Sequence, residues 1–175
     1  MKRRTVMLLA VIPLMAACST TPTPTTPAAN AAAMSSPASA SPTTPTALDA
    51  AGVVTKLKAA RLPVGAVTVY TAANDPNHLL GRPNGYTSKA AFIDTRVKPS
   101  DARDTSAGSV DLGGSVEVFA TGAEATAREQ YIQGAEKSMP MLGTEYDYVS
   151  GDVLLRVSEV LTPDQAKAYQ AALAD

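Results

Sequence analysis

Cysteine and histidine each occur once in this sequence, at Cys18 and His78. A lone thiol can stay free, join a second chain or carry a modification. A lone imidazole means that any histidine general base or histidine-ligated metal has to run through one residue. An excess of one charge is missing too: 15 basic residues face 16 acidic ones, and loss of residues 1–17 would remove three of the basic side chains. That balance excludes a basic field for nucleic acid or anionic lipid. There is no long apolar run either. Residues 5–17 form a stretch of about 13, against the roughly 20 that a membrane-spanning helix needs, and Pro13 interrupts it.

The flanks of that short run are informative. Lys2, Arg3 and Arg4 hold the amino end on the cytoplasmic side, and Leu14-Met15-Ala16-Ala17-Cys18 closes the run with small residues just before the thiol. This arrangement resembles a bacterial lipoprotein export signal. The resemblance implies that residues 1–17 are removed and that the Cys18 sulfur takes a diacylglyceryl group as the new amino terminus. Ordinary signal cleavage and an uncleaved anchor are the alternatives. Two acyl chains, at about 0.8 kcal/mol per buried methylene, anchor stably where one holds only reversibly. The expected location is therefore the extracytoplasmic face of the cell membrane, lipid-anchored, with the membrane itself as one partner. Arg3-Arg4 also suggests the twin-arginine route, but Thr5-Val6-Met7 departs from the rest of that signal, so unfolded export is expected.

Residues 18–46 follow the anchor with Ser, Thr, Pro and Ala and no charged or aromatic side chain. Such a segment cannot bury enough apolar area to offset its ordering entropy, so a disordered linker is expected. Its prolines bias it to polyproline II, giving a reach of roughly 30 Å as a coil and up to about 90 Å when extended. An O-glycosylated stalk or a docking ligand for a proline-binding partner is the functional alternative to a passive spacer.

Residues 47–175 have the size of one domain with one core. Leu48, Ala51, Val54 and Leu57 predict a helix over 47–61, stopped by Pro63. Alternation predicts strands over 64–71, 86–97 and 114–121, the second pointing Phe92, Asp94 and Arg96 to one face. Residues 98–112 have turn composition and predict a mobile surface loop. Thr121 and Glu124 form a capping-box pattern opening a helix to about 137, with Ala127, Tyr131, Ala135 and Ile132 as its buried stripe. Ser150-Gly151-Asp152 joins 144–149 to 153–158 as a hairpin, and Thr162-Pro163-Asp164-Gln165 opens a last helix that turns Ala166, Tyr169, Ala172 and Leu173 inward. The fold class expected is α+β, a single domain with a largely antiparallel sheet of about five strands and three helices covering one face.

The densest cluster of special residues is 74–94. With the lipobox, the 114–119 strand and the closing 154–173 segment, it resembles a group of small uncharacterised lipoproteins of high-G+C Gram-positive bacteria. That resemblance implies the anchored location and transfers no functional residue. Within the block, Arg82 and Lys89 put two cations beside Tyr86, a candidate ligand-binding set for an anionic group. Against it stands a packed loop in which Leu79 and Leu80 plug the core and Arg82 pairs with a carboxylate such as Asp94. Ser88 and Lys89, adjacent on a strand, point to opposite faces and cannot form a catalytic dyad. No G-x-S-x-G elbow occurs, and no cofactor is expected. The function expected is binding or interaction with an envelope component or a protein partner. The alternative is a small envelope hydrolase or metal-binding protein using the His78 loop.

Overall fold

A computed structural model describes residues 48–175. The export signal, Cys18 and the linker over 18–46 lie outside the described residues. The first helix, α1 (Ala50–Ala59), starts where Asp49 accepts a hydrogen bond from the Gly52 amide at 2.7 Å, and carries Lys56 and Lys58 in its last turn, where the helix dipole favours cations. The chain then reverses through Arg61, held at a φ of 63°, and Pro63 into β1 (Val64–Val69). Strands β2 (Ser88–Asp94) and β3 (Gly113–Val118) follow, each after a long loop. Helix α2 (Gly122–Ser138) opens with the capping box of Thr121 and Glu124. A 3-10 turn over Pro140–Leu142 leads to the hairpin of β4 (Glu145–Ser150) and β5 (Val153–Ser158), whose turn places Gly151 at a φ of 58°. The last helix, α3 (Pro163–Ala174), has Thr162 and Gln165 as a second capping box.

The five strands form one antiparallel sheet in the order β1-β2-β3-β5-β4. The fold class read from the sequence is therefore the one found: three helices and a five-stranded antiparallel sheet among the described residues. The placement of the helices differs. Only α1 and α3 pack on the face bearing Ala90, Phe92, Val116, Val118, Leu155 and Val157, where Phe92 stacks on Tyr169 with ring centroids 5.4 Å apart. Helix α2 lies on the other face, its Ala125 and Ile132 clustering with Leu154, Tyr86 and Phe119.

The buried stripe of α2 is also rotated from the one expected. Tyr131 is 68 % exposed and Ala127 is exposed, while Ala125 and Ile132 are buried. Residues 125, 128 and 132 follow the helical period, and Arg128 occupies the middle position because its Nε reaches buried Glu117 on β3 at 3.1 Å. A hydrophobic pattern assigns no inward position to an arginine.

The loop over 98–112 is not featureless. It contains 3-10 turns at Pro99–Asp101 and Val110–Leu112, and the Asp111 carboxylate accepts from the amides of Arg103 and Asp104 at 3.2 and 3.0 Å. Gly108, at a φ of +83°, lies against Tyr70 so closely that a Cβ there would stand 1.6 Å from the phenolic oxygen.

Candidate functional site

Because side chains alternate along a strand, the sheet face opposite α1 and α3 is written by every second residue: Lys89 on β2, Ser115 and Glu117 on β3, Arg156 on β5, Glu145 and Asp147 on β4. The register sets Lys89 opposite Glu117, Ser115 opposite Arg156, and Arg156 opposite Asp147. One face of the sheet is thus mostly hydrocarbon, with Asp94 at its edge, and the other carries these charges beside the apolar cluster of Leu154 and Val149.

Burial of these charges, Asp147 excepted, is tolerated because they pair. Glu117, with no exposed surface, accepts from Arg128 Nε at 3.1 Å and from Arg156 Nη1 at 3.4 Å. Arg156 also bonds both oxygens of Glu145, through Nε and, at 2.9 Å, through Nη2. Burial works against the Arg156 charge, but Glu145 and then Glu117 outweigh it, and the guanidinium is held above its ordinary range. Lys89 Nζ lies 3.2 Å from the Asp75 carboxylate and over the rings of Tyr70 and Tyr86 at 4.9 and 5.2 Å.

Asp75 organises the loop over 70–87. Buried to 1 % exposure, it accepts the Tyr86 hydroxyl at 2.6 Å and the amides of Leu79 and Leu80 at 2.9 and 3.2 Å. Burial opposes its ionisation, yet the bonds from Tyr86, the Leu79 amide and Lys89 together hold the carboxyl well below the usual carboxylate range. The same burial, and the bond to Asp75, push the Tyr86 phenol far up. Gly85 closes the loop at a point where a Cβ would stand 2.0 Å from the Leu79 carbonyl oxygen.

Of the ligand-binding set read from the sequence, the fold brings Tyr86 and Lys89 together and leaves Arg82 apart. Arg82 is exposed and forms no ion pair among the described residues. Tyr86 is wholly buried and braces Asp75, so its phenol presents no surface to an incoming anion. Asp94, the carboxylate offered as a partner for Arg82, belongs to the opposite face, where it bonds Arg96 at 2.6 Å and the Tyr169 hydroxyl at 2.7 Å. Leu79 and Leu80 do plug the core, against the cluster around Phe119 and Ile132. His78 is exposed, at a φ of 53°. No three His, Cys, Asp or Glu side chains converge on a metal position among the described residues.

Three segments rise around the charged face and leave an open cleft of about 470 Å³: the loop at Pro76 and Asn77, the loop at 103–111, and the 3-10 turn after α2 with Met141 and Leu142. Lys89, Ser115, Glu145 and Arg156 line it. The cleft continues along α2 into a second lobe of about 330 Å³ that shares Asn77, Leu142, Glu145 and Arg156 and is bordered by Arg128, Tyr131 and Met139. On this rim Met141 is 86 % exposed, Leu142 60 % and Met139 48 %. The volume falls in the range of small-molecule sites, about 300–1,000 Å³.

Ser115 is the informative residue of the lining. It is 1 % exposed, and its Oγ has no hydrogen-bond partner among the described residues. A buried hydroxyl left unpaired costs about 1–3 kcal/mol, so it marks a position where a partner is to be supplied. With no base bonded to it, and with Lys89 already ion-paired, the lining is equipped to donate and accept hydrogen bonds. Sequence reasoning missed Ser115, Glu117, Glu145 and Arg156. Their signal was present as polar residues at alternate positions of three strands, among them Arg156 as the one charge within Val153–Ser158. Strand order, which brings them onto one floor, was the missing part.

No known protein family, characterised protein or solved structure matches this chain.

Proposed function

We propose that this chain is an envelope lipoprotein, tethered through a diacylglyceryl group on Cys18 to the extracytoplasmic face of the cell membrane, whose domain is a binding module with the cleft over β2, β3 and β5 as its site. One observation carries the binding reading: a buried hydroxyl, Ser115 Oγ, has no partner on the floor of an open cleft whose other floor groups are already paired. The cationic start, the short apolar run and Ala16-Ala17-Cys18 support the anchor. No helix among the described residues is long and apolar enough to cross a membrane. The occupant is an envelope component or a protein partner.

Two measurements test this reading. Cells fed an alkyne fatty acid label the wild-type chain, and Cys18→Ala abolishes both the label and partition into a detergent phase; equal labelling refutes the anchor. Oxidative footprinting tests the cleft. Met141, at its rim, is oxidised more slowly on intact cells than in the purified full chain, whereas Met34 in the linker reacts alike in both. Equal rates at Met141 in the two settings refute occupancy of the cleft.

A further inference from the structure

We infer that the cleft takes a neutral, hydroxyl-rich ligand with an apolar face, a short saccharide chain, and that Ser115, whose Oγ is covered in the free protein, turns toward the cleft to become its central contact. The inference rests on the reading of the cleft as a binding site and adds the chemical class of the occupant.

The charge inventory excludes the obvious alternatives. On and beneath the floor three cations, Lys89, Arg128 and Arg156, meet three carboxylates, Asp75, Glu117 and Glu145, each engaged in at least one ion pair, while a fourth carboxyl on this face, Asp147, forms none. At the rim Arg103 is paired with Glu159 at 2.9 Å, and Asp104 and Asp111 add negative charge. An anionic ligand would meet paired cations and a rim with surplus acid. A cationic one would meet the guanidinium and ammonium groups of the floor. On the floor, where Lys89, Glu145 and Arg156 are already paired, either ion would be partly desolvated beside charges that have their partners, and the unpaired carboxylates Asp104, Asp111 and Glu136 stand only at the rim and in the second lobe. The floor group without a partner is neutral.

The floor retains hydrogen-bonding capacity of a mixed kind. The Lys89 ammonium has three protons and bonds Asp75 and Tyr86, leaving one. Three of the five N–H groups of Arg156 are engaged. Ser115 has its proton and both lone pairs free. Sugar hydroxyls both donate and accept, so they match such a lining without adding charge. The rim supplies the complementary surface. Met141, Leu142 and the exposed ring of Tyr131 stand along one wall of the two lobes, and the C–H face of a pyranose buries against such side chains. The lobes run on from one another through Asn77 and Leu142, which suits a chain of linked units better than a single compact molecule.

The test uses the purified full chain in a zwitterionic detergent without a sugar headgroup. Saturation-transfer NMR and calorimetry are run with three probe sets: neutral di- to hexasaccharides of glucose, mannose, galactose and N-acetylglucosamine; the same chains carrying uronate or phosphate; and a tetrapeptide pool. Neutral chains are expected to bind. Ser115→Ala weakens them about tenfold, the value of one lost hydrogen bond, and leaves the melting temperature unchanged or raised because that hydroxyl has no partner in the free protein. Met141→Asp, at an exposed site, also weakens them about tenfold, and Gln170→Ala on α3 has no effect. Binding confined to acidic chains or peptides, and lost in Ser115→Ala and Met141→Asp, overturns the ligand class and leaves the binding reading standing. Neutral-chain binding unaltered by both variants overturns the placement of the ligand in this cleft. No binding in any set, with Met141 unprotected on cells, overturns both.

Discussion

Asp147→Asn is expected to stabilise the domain by an amount that grows with pH. Asp147 lies on β4 among the charges of the second sheet face, beside Glu145, and no cation pairs with its carboxylate among the described residues. Burial pushes its carboxyl up to about 8, and the negative charge of Glu145 adds to the effect; Arg156 opposes it, and Glu136 reinforces it. The three cations of the network already match three other carboxylates, so a fourth negative charge has nothing left to balance it. In the unfolded chain the same side chain ionises near pH 4. Between about pH 4 and pH 8 the native state therefore holds a proton that the unfolded state has released, and stability falls as pH rises through that window and levels off above it. At about 1.4 kcal/mol per pH unit, the loss by pH 7 is at most about 4 kcal/mol, and relaxation around the group reduces it toward about 1. Asparagine reproduces the shape of the protonated carboxyl and cannot ionise.

Thermal unfolding across pH provides the assay. At roughly 4 °C per kcal/mol for a domain of this size, the gap between variant and wild type opens from about 1–4 °C at about pH 4.5 to somewhere between about 4 and 15 °C at pH 7.5. Asp75 and Asp94 act in the opposite sense. Their carboxyls are held low, so their stabilisation is present above about pH 4 and is lost as pH falls through their folded values. Both groups are common to the two proteins and cancel in the difference. A variant less stable than wild type at neutral pH, or a gap independent of pH, would refute the reasoning.

Arg156→Leu removes the cation shared by Glu117 and Glu145 and is expected to cost about 3–5 kcal/mol in urea unfolding, with Arg156→Lys restoring only part because the fork to Glu145 is lost. Asp75→Asn leaves the Lys89 charge unpaired and weakens the brace on the loop; hydrogen exchange at the Leu79 and Leu80 amides should accelerate at least tenfold while the β3 amides change less. Gly108→Ala drives a methyl into Tyr70 and should cost more than about 2 kcal/mol, whereas Gly151→Ala, also at positive φ but with nothing within 4 Å, should cost only about 1.

The legible part of the fold was what local chemistry dictates. Thr121 with Glu124, Thr162 with Pro163 and Gln165, and Gly151 at the hairpin turn each satisfy backbone groups within a few residues, and each appears where its pattern stood in the sequence. Positions that depend on distant partners were not legible. Arg128 faces inward where Glu117, eleven residues away on another element, is there to meet it, so the inward positions of α2 are 125, 128 and 132 and not 127, 131 and 135. The block over 74–94 was singled out for its Gly, Asn and Asp content and its cations. Those residues build a loop on Asp75, and only Pro76, Asn77 and Lys89 of the block line the central cleft. Composition identified a structured loop and could not separate its scaffold from the surface it borders.

The contrast between the two sheet faces bears most directly on function. A buried ion-pair network is weak evidence for stability, since apolar residues of similar volume often stabilise as well or better. The face under α1 and α3 shows that this chain can pack hydrocarbon on the same strands, with Val116 and Leu155 paired across β3 and β5 one residue away from Ser115 and Arg156. What the charged face adds is direction. Glu117 and Glu145 fix the plane of the Arg156 guanidinium from two sides, and Asp75 fixes the Lys89 ammonium, so the remaining N–H groups around Ser115 are held in place before any ligand arrives. Holding them so lowers the ordering cost of binding. On that argument the network and the unpaired hydroxyl are one device, and loosening Glu145 alone should weaken ligand binding through a cleft whose shape hardly changes.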